Sequence, residues 1–593
     1  MTQSLVELTQ IAQFWMQQDP DPKTVLELKQ LIQNLQSTPE HLQVELEQRF
    51  GSLIEFGTAG LRGPVKAGSS CMNLAVIVLA TLSVAEVLNH CIEESPNFCL
   101  NPRSIVLGYD ARLTSYEFAK MTARVFSVCG FDVLMFAHQV PTPILAYAVT
   151  ALAAAAGVIV TASHNPSRDN GYKLYWAHGA QITPPIDDWV MTRMRQHASV
   201  GAKDLLVQLE SNAPNKRAGC VQEVSSKIVQ DYLDKVVELL PNKQSLQSLR
   251  VAYTPLHGVG GEYAALLLKR QGLVDLYCVT EQFKPDGHFK TTDFPNPEEE
   301  QAMTLLMRLC AQQRVDVGFA NDPDADRMAM IVPQKESYYV RLTGNEIGVL
   351  LFYYLINFSP QKNNHCVVAS VVSTRQIKIL AEQFRITYAD SLTGFKWIMH
   401  KAAHCDAQYN TKLLLGFEEA LGFCVGTLVR DKDGLSALLL AAEMMAYLKS
   451  KQKTVLDWQC EIAEKIGLFV DKTNTYSTVN ADKKQALMEQ IKRLQQEMPR
   501  DFLGGQASFC DYKNNPPKGF LPSSLLEVNI QYKNRHVRIL LRPSGTEPKF
   551  KIYVEQRTPV CNFLNTADYL IAKTQAQQAL LCTILQLESE LRL

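Results

Sequence analysis

Apolar and polar positions alternate with two different periods along most of this chain, and the same order of segments occurs three times. In each copy a short apolar run precedes a segment of helical period, and a second apolar run follows it. The three copies cover residues 104–136, 250–279 and 366–388. Gly130 and Gly272 stand just after the helical segment in the first two copies, where glycine typically ends a helix. Because strand, helix and strand form the unit of a parallel sheet, the pattern predicts three similar α/β units.

The last part of the chain has a different pattern. Residues 525–532 and 536–541 predict a β-hairpin, 551–556 predict a further strand, and 567–591 predict a closing amphipathic helix. The segment 504–522 is rich in Gly, Asn and Pro, which predicts a loop within this region. The predicted fold class is therefore α/β, with three similar α/β domains that contain mixed sheets and a smaller C-terminal α+β domain.

The length of the chain also requires several domains. With 593 residues it exceeds what one hydrophobic core holds. We place the domains at residues 1–215, 216–338, 339–455 and 456–593. The first fifty residues predict helices with a polar face and carry no recognisable chemistry.

Composition and charge exclude several classes of partner. The net charge is −1 and 46% of residues are hydrophobic. The chain as a whole therefore has no excess of positive charge that would favour binding to nucleic acid or to an anionic membrane. The first residues lack the pattern of a secretory signal, and the apolar windows 74–87 and 145–160 are shorter than a membrane span. The 14 cysteines form no C-x-x-C pair, which favours reduced thiols in the cytoplasm over disulfides or zinc. We therefore expect a cytoplasmic protein without nucleic acid or membrane partners.

The stretch Thr-Ala-Ser-His-Asn-Pro at 161–166 carries the most specific chemistry. Ser163 follows the apolar run 157–160 and precedes an Asn-Pro turn. A strand that ends by exposing a serine on a tight loop is typical of an active site. His164 is more often a loop hydrogen-bonding residue than a catalytic base.

A second cluster, Asp-Pro-Asp-Ala-Asp-Arg at 322–327, follows the apolar run 315–320. Three carboxylates at alternating positions can converge on one hard divalent cation and leave coordination sites for phosphate oxygen and water, which suits Mg²⁺. An EF-hand is excluded because Arg327 and Pro333 stand where it needs Gly and Glu. A solvated acidic turn is the alternative.

Four further clusters have both a chemical and a plain interpretation. The loop 542–549 can form an anion-binding nest or a hairpin turn, and 416–422 can bind sugar hydroxyls or form an acidic turn. Residues 430–434 contain Lys432, a candidate for proton transfer or phosphate contact, but a charge run of this kind can also form a solvated face. The glycine-rich segment 56–63 offers backbone donors and Arg62, but it is not a nucleotide-binding motif.

Taken together and in this order, these motifs resemble the α-D-phosphohexomutase superfamily, the phosphoglucomutases and phosphomannomutases. The resemblance runs from residue 56 to residue 554 and therefore covers nearly the whole chain. It implies three topologically similar α/β domains and a smaller fourth domain around a central cleft.

The resemblance also implies a role for each matching residue. Ser163 would carry a phosphoryl group, and the phosphoserine would bind one Mg²⁺ together with Asp322, Asp324 and Asp326. The cations expected around the transferring phosphoryl group are Arg62, Lys173 and Arg327. Lys173, His164 and Lys432 are all candidates for proton transfer.

Substrate-binding residues follow from the same comparison. Glu418 and Glu419 would bind sugar hydroxyls with the loop that contains Thr393, Gly394 and Lys396, and Lys432 would lie in the sugar-phosphate site. The residues expected to hold the phosphate that does not react are Arg542, Ser544, Gly545 and Thr546.

The implied reaction is an intramolecular phosphoryl transfer. A sugar 1-phosphate would exchange with a sugar 6-phosphate, or a pentose 1-phosphate with a 5-phosphate, through the phosphoserine and a bisphosphate intermediate. Glucose 1,6-bisphosphate or a similar sugar bisphosphate would prime the enzyme. The expected partners are small sugar phosphates, and the expected state is a monomer or weak dimer.

Details of three segments point to one branch. Residues 56–62, 169–176 and 392–397 look most like the phosphoglucomutase-2 and phosphopentomutase branch. Ala420 stands where many glucose-specific members have serine, which predicts a weaker preference for one sugar. Phosphomannomutase and glucose 1,6-bisphosphate synthase remain alternatives within the superfamily. A non-catalytic sugar-phosphate-binding relative and a phosphatase are less consistent with the motifs.

Overall fold

The computed structural model describes residues 4–35, 37–57, 60–95, 98–212, 218–335, 338–359, 364–477, 481–543, 549–559 and 562–593. Its contacts divide the chain into two compact units. The first unit contains Met1–Leu342, Gly394–His400 and Ala420–Glu443, and the second contains Thr343–Thr393, Lys401–Glu419 and Met444–Leu593.

Three helices begin the first unit, as the sequence predicts: α1 (Leu5–Gln18), α2 (Pro22–Leu35) and α3 (Pro39–Phe50). Ser4 and Glu7 form a capping box that satisfies backbone N–H groups at the start of α1. Leu8, Leu28 and Leu46 are buried in the same apolar core as the first sheet, so these helices are an integral layer of the unit.

The first sheet and its helices follow in chain order: β1 (Leu61–Pro64), α4 (Leu74–Glu94), β2 (Asn101–Tyr109), α5 (Ser115–Val128), β3 (Asp132–Met135), α6 (Thr142–Ala151), β4 (Ala154–Val160), β5 (Asp169–Trp176), α7 (Ile186–Val200), α8 (Ala202–Asn212) and β6 (Val221–Glu223). The strand order is β1-β5-β4-β2-β3-β6. The strands β4, β2, β3 and β6 run parallel, whereas β5 is antiparallel to both β4 and β1. The sheet is therefore mixed.

The second sheet of this unit is built from α9 (Ser226–Glu238), β7 (Arg250–Thr254), α10 (Gly261–Arg270), β8 (Asp275–Cys278), α11 (Thr280–Phe283), α12 (Glu300–Gln313), β9 (Val317–Asn321), β10 (Met328–Lys335) and β11 (Tyr338–Arg341). Its strand order is β11-β10-β9-β7-β8. The strands β9, β7 and β8 are parallel, and β10 and β11 continue the sheet in antiparallel fashion.

The second unit begins with α13 (Gly344–Phe358), β12 (His365–Ser370), α14 (Gln376–Phe384) and β13 (Thr387–Ser391), and the chain continues through α15 (Phe395–Tyr409), β14 (Lys412–Glu418), β15 (Gly422–Val425) and α16 (Gly434–Ser450). The strands β13 and β14 pair in parallel on either side of β12. The strand β15 belongs to the first unit.

The C-terminal domain of the second unit contains α17 (Val455–Ile466), β16 (Leu468–Ser477), α18 (Ala481–Glu497), β17 (Asp501–Phe502), β18 (Gly505–Asp511), β19 (Leu526–Gln531), β20 (His536–Pro543), β21 (Lys549–Thr558) and α19 (Thr566–Leu591). Its antiparallel sheet has the order β16-β21-β20-β19-β18-β17. Apolar side chains of the sheet and of α19 form its core.

All three predicted strand–helix–strand repeats are present, which confirms the predicted α/β fold class. Gly130 and Gly272 follow α5 and α10 with φ of 86° and 88°, a left-handed conformation that glycine adopts without steric cost. The prediction of a loop over 504–522 is wrong for its first part. Residues 506–511 pair with β19 along their whole length. Because β19 lies further along the chain, the composition of residues 504–522 does not reveal this pairing.

One helix among the described residues, α4, is long and apolar enough to cross a membrane by length and composition alone. Its most apolar window has a mean hydropathy of 1.9, and 72% of that window is buried inside the protein. The core helix of a globular protein has the same properties.

Candidate active site

Ser163 lies on the loop that follows β4 and is 1% exposed. Its φ of 51° places a non-glycine residue in the left-handed region, which costs about 1–2 kcal/mol. In this conformation Ser163 Oγ donates a hydrogen bond of 2.6 Å to Asp322 Oδ2. Two loops that lie about 160 residues apart in the sequence thus meet at the serine hydroxyl.

His164 also faces the serine. Its Nδ1 lies 3.3 Å from Ser163 Oγ, and its ring contacts Phe294 edge-on at 5.7 Å between centroids. Burial, then the charges of Arg327 and Arg62, lower the pKa of His164 well below its ordinary value. The imidazole is therefore neutral and disfavours taking up a proton, so its proximity to the hydroxyl is the only support for a role of His164 in proton transfer.

The three aspartates of the second motif converge after β9. Asp322, Asp324 and Asp326 are each 0% exposed, and one oxygen of each lies within 4.8 Å of the others. Ala325 adopts a φ of 57°, which turns the loop back on itself. The acidic turn is therefore buried and not solvated.

The donor set fits a hard divalent cation. Asp324 Oδ1 and Asp326 Oδ1 are buried oxygens with no hydrogen-bond partner among the described residues, and such atoms are costly unless something else coordinates them. Burial, then the neighbouring Asp324 and Asp326, raises the pKa of Asp322 well above its usual range. A divalent cation would satisfy the orphaned oxygens and relieve this repulsion, as Mg²⁺ does with carboxylate ligands.

Lys173 on β5 points into the carboxylate cluster. Its Nζ donates to Asp324 Oδ2 at 2.5 Å and to Asp326 Oδ2 at 2.7 Å. Burial by itself disfavours the charged amine, but these two carboxylates hold the pKa of Lys173 above its ordinary value. Lys173 is therefore a cation here, and a proton donor before it is a base.

Two further cations lie against the same carboxylates. Lys432 Nζ is 3.4 Å from Asp326 Oδ2, and Arg327 Nε is 3.9 Å from Asp322 Oδ2. Arg327 also pairs with Glu298 at 3.4 Å. The cluster thus combines three carboxylates with three cations, a composition suited to a transferring phosphoryl group.

Arg62 lies on β1, opposite Gly171 of β5 and close to Lys173 in the register. A Cβ atom at position 171 would come within 2.6 Å of the backbone oxygen of Leu61 and 3.1 Å of Arg62 Cγ. Glycine at this position therefore permits the close approach of the strand that carries Arg62.

The predicted sugar-binding residues are divided between the two units. Lys396 lies in the first unit, with Nζ 3.3 Å from Asp187 Oδ2, and Gly394 there has a φ of 105°. Thr393, Glu418 and Glu419 lie in the second unit. Glu418 ends β14. Glu419 Oε2 accepts hydrogen bonds from Ser370, the last residue of β12, at 3.1 Å and from Ser373, just after that strand, at 3.4 Å.

The predicted phosphate loop is described only at its start. Arg542 lies near the end of β20, opposite Lys551 of β21. Ser544, Gly545 and Thr546 lie outside the described residues.

Thr142 and Arg112 lie outside the sequence motifs, whereas Asp431 lies in the predicted segment 430–434 but has no predicted role there. Thr142 at the start of α6 donates to Asp324 Oδ2 at 2.6 Å, and Asp431 accepts from Tyr175 and Gln181 at 2.6 and 2.7 Å. Arg112, just after β2, donates to backbone oxygens of the serine loop. Only Arg112 had a usable signal, because it follows a predicted strand end within the sequence Asp-Ala-Arg.

A buried serine hydroxyl bonded to a carboxylate cluster that could hold a metal ion, with cations around it on an α/β scaffold, is the arrangement expected of phosphoryl-transfer enzymes. The chain matches three family models in order, described as phosphoglucomutase/phosphomannomutase alpha/beta/alpha domains I, II and III, over residues 53–200, 230–335 and 343–463.

Curated relatives that match most of the chain support the same family. The chain is 33% identical to phosphoribomutase of Saccharomyces cerevisiae over 91% of both proteins. It is 32% identical to glucose 1,6-bisphosphate synthase of Mus musculus over 91% of this chain and 88% of the relative. With phosphopentomutase of Mus musculus it shares 31% identity over 92% and 90%.

Among solved structures, pp63/parafusin, a phosphoglucomutase from Paramecium, superposes with a TM-score of 0.64 at 19% identity, covering 91% of this chain and 95% of that one. This likeness shows a shared fold. The chain belongs to the α-D-phosphohexomutase superfamily, in the phosphoglucomutase-2 and phosphopentomutase branch. It is thus a phosphosugar mutase, an enzyme of the isomerase class, as the sequence predicts.

Proposed function

We propose that this enzyme interconverts pentose 1- and 5-phosphates and hexose 1- and 6-phosphates through a phosphoryl group carried on Ser163. The observation that supports this most directly is the 2.6 Å hydrogen bond between Ser163 Oγ and Asp322 Oδ2. It places the hydroxyl at the edge of a buried carboxylate cluster that fits a divalent cation.

Asp322, Asp324 and Asp326 would hold one Mg²⁺ per subunit, with an oxygen of phosphorylated Ser163 as a further ligand. When bound, the metal spreads the negative charge of the phosphoryl group and fixes its orientation.

The surrounding side chains supply the rest of the electrostatics. Lys173, Lys432, Arg327 and Arg62 stabilise the charge of the phosphoryl group during transfer. Lys173 Nζ is buried, charged and bonded to two carboxylates of the cluster, so we assign it the donation of a proton to Ser163 Oγ as the phosphoryl group leaves. Once it has donated, its neutral amine can accept the proton that the sugar hydroxyl releases, a role for which Lys432 is the alternative. His164 Nδ1 remains the alternative acceptor for the Ser163 proton.

We assign the binding of the sugar to the loops that match the sugar-binding motifs of the family. Glu418 and Glu419 would bind hydroxyls with the help of Thr393, Gly394 and Lys396. The phosphate that does not react would be held by Arg542, Ser544, Gly545 and Thr546.

The proposed reaction passes through a sugar bisphosphate intermediate. Phosphorylated Ser163 donates to the free hydroxyl of the sugar monophosphate, which gives a sugar bisphosphate, and the other phosphate then returns to Ser163. Glucose 1,6-bisphosphate would prime the serine by the second half of this cycle. We also propose the domain boundaries 215/216, 338/339 and 455/456, a cytoplasmic location, and a monomer or weak dimer that binds small sugar phosphates.

The experiment is a panel of ribose, glucose and mannose 1-phosphates with Mg²⁺, with and without glucose 1,6-bisphosphate, together with mass spectrometry of the Ser163 peptide. We expect isomerisation, phosphate on Ser163, and loss of both in Ser163→Ala. Ser199→Ala is a matched control because this serine is exposed on α7 and its hydroxyl bonds only locally. Full turnover by Ser163→Ala, or no isomerisation of any sugar, would refute the proposal.

A second candidate activity is net synthesis of glucose 1,6-bisphosphate. A relative of that name covers nearly the whole chain at 32% identity, and both reactions would use the same serine. Adding a phosphoryl donor that is not a sugar phosphate to the panel separates the two activities. A synthase would then accumulate sugar bisphosphate at the expense of the donor, whereas a mutase would isomerise the sugar phosphate without net consumption of the donor.

The choice of sugar can be tested at Ala420. Because this position lacks the hydroxyl that many glucose-specific members carry, Ala420→Ser should raise kcat/KM for glucose 1-phosphate relative to ribose 1-phosphate. An unchanged or reversed ratio would contradict this assignment.

A further inference from the structure

Two buried residues after β2 contact the serine loop without touching the carboxylate cluster's open oxygens. Asp110 and Arg112 are 2% and 3% exposed, and they form an ion pair at 3.3 Å. We propose that they are positioning residues for phosphoryl transfer, which hold Ser163 in its left-handed conformation with its hydroxyl directed at Asp322. The inference rests on the proposed role of Ser163 as the phosphoryl carrier.

Arg112 binds the carbonyl side of the loop. Its Nη2 donates to the backbone oxygens of Ser163 at 2.7 Å and Asn165 at 2.5 Å. Its Nη1 donates to the backbone oxygens of Pro166 at 2.7 Å and Asp169 at 2.8 Å. One planar guanidinium thus spans four carbonyls, a geometry that the single ammonium of lysine cannot reproduce.

Asp110 binds the amide side through one intermediate. Its Oδ2 accepts a 2.6 Å hydrogen bond from the hydroxyl of Thr161. Since that hydroxyl donates its proton to the carboxylate, its oxygen is free to accept from the backbone N–H of Ser163, at 2.9 Å. Both backbone polar groups of Ser163 are therefore held from the end of a single strand.

The left-handed conformation explains why two contacts are needed. A φ of 51° is unfavourable for serine, so a loop without these hydrogen bonds would relax toward the ordinary region. Such a rotation would move Ser163 Oγ away from Asp322, although neither Asp110 nor Arg112 takes part in the chemistry.

Arg112 is itself fixed from a second direction. Its guanidinium carbon lies 5.1 Å above the centre of the Phe289 ring. A Cβ atom at Gly287 would come within 2.5 Å of the Ala111 backbone oxygen and 2.9 Å of Arg112 Cα. The loop after α11 therefore packs directly on the backbone that presents Arg112.

The sharpest test is a matched pair at Thr161. Thr161→Val keeps the shape but removes the hydroxyl, whereas Thr161→Ser keeps the hydroxyl. With enzyme phosphorylated on Ser163, the single-turnover rate of transfer to the sugar monophosphate should fall about 10–100-fold in Thr161→Val. KM and the Mg²⁺ requirement should stay within about twofold, because no group that binds substrate or metal is lost. Thr161→Ser should recover most of the rate.

Arg112→Lys gives a second measurement. It keeps the charge beside Asp110 but leaves carbonyls of the loop without donors, so the transfer rate should fall with little change in KM. A fall that merely follows the unfolded fraction seen by circular dichroism would indicate a structural role and overturn the inference.

The outcomes separate the two proposals. Wild-type protein that carries no phosphate on Ser163 would overturn the proposed function and this inference with it. Phosphorylated wild type together with a Thr161→Val enzyme that transfers at the same rate would overturn the positioning role alone.

Discussion

Each unit of the molecule buries a cluster of charged side chains, and the two clusters differ in how their oxygens are satisfied. In the second unit, Glu527 accepts from Arg538 Nε at 2.7 Å and from Asn529 and Tyr512 at 3.1 Å. In the first unit, Asp324 and Asp326 each keep one buried oxygen that accepts no hydrogen bond from the part of the chain that the structure describes. The Glu527 cluster is complete as folded, whereas the aspartate cluster is complete only with a cation.

The pKa values of the carboxyl groups in the two clusters differ in the same way. Burial would raise the pKa of Glu527, but Arg538 and Arg375 outweigh it and hold the pKa at about 2. Burial and two neighbouring carboxylates raise the pKa of Asp322 well above its usual range. A buried charge that the protein itself satisfies is costly to remove singly, because its partner is then left unpaired, whereas a buried charge that it leaves unsatisfied indicates a ligand.

The largest expected effect is loss of activity when the aspartate cluster loses a ligand. Asp322→Asn should lower kcat by about 10²–10³-fold, because the metal and the serine hydroxyl both lose an anionic partner. Without metal its free energy of unfolding should change by less than about 1 kcal/mol, since the ionised form of Asp322 is already disfavoured by its neighbours.

The accompanying measurement is thermal unfolding with EDTA and with Mg²⁺. Wild-type protein should unfold at a higher temperature with Mg²⁺, because a ligand that binds only the folded state stabilises it, and chelation should remove activity reversibly. An Mg²⁺-dependent shift that survives in Asp322→Asn at full size would contradict the assignment of the metal site.

Glu527→Gln is the matched substitution in the other cluster, and it should have the opposite consequence. Removing one partner of a buried pair leaves Arg538 without its anion, which should cost about 3 kcal/mol of unfolding free energy. Since the substitution lies outside the proposed site, kcat per folded molecule should stay within about twofold. Denaturant unfolding and active-site titration measure the two quantities, and a loss of kcat without a loss of stability would break the comparison.

The sequence alone predicts the first cluster much better than the second. Ser163 and Asp322 each follow an apolar strand, β4 and β9 respectively, and local patterning reveals strand ends. The contacts of Arg112 with residues about 50 positions later, and of Thr142 with Asp324, depend on how separate elements pack. Local patterns carry no information on such pairings.

Because local patterns do not reveal long-range pairing, the loop predicted over 504–522 is wrong in its first part and the Glu527 cluster is not predicted at all. The strand β18 exists because β19 provides its hydrogen bonds, and the charges around Glu527 come from β19, β20 and the start of α14. Charged residues spread over several strands look like ordinary surface positions in a sequence, because their mutual burial follows from the fold.

The pH dependence of stability provides a finer test of the Glu527 cluster. A carboxyl whose pKa falls from 4.5 unfolded to about 2 folded stabilises the protein above pH 4.5. That stability is lost as the pH falls through the folded value, and it amounts to about 3 kcal/mol. Wild-type protein should therefore lose this contribution between about pH 4.5 and pH 2. Glu527→Gln should be less stable at neutral pH and flatter in this window, and parallel curves for the two proteins would contradict the prediction.

The smallest expected effect has the opposite sign and concerns a partly buried carboxyl of the second unit, that of Asp471. Asp471 on β16 accepts one hydrogen bond, from Asn345 at 2.9 Å, and lies opposite Glu555 in the register. Burial, then the charge of Glu555, raises the pKa of Asp471 to about 7 despite that hydrogen bond. A raised carboxyl pKa means that stability is lost as the pH rises from the unfolded value through the folded one.

Asp471→Asn should therefore stabilise the protein by about 2 kcal/mol at pH 8 and by little at pH 4, because the amide keeps an oxygen for Asn345 and carries no charge. Urea unfolding at the two pH values measures the difference, and Asp501→Asn, an exposed change at β17, is the control. If Asp471→Asn destabilises the protein at pH 8, the prediction is wrong, and the charge of Asp471 is satisfied by its neighbours as that of Glu527 is. If Asp471→Asn stabilises the protein, the charge of Asp471 is unsatisfied in the folded state, as are the charges of the aspartate cluster.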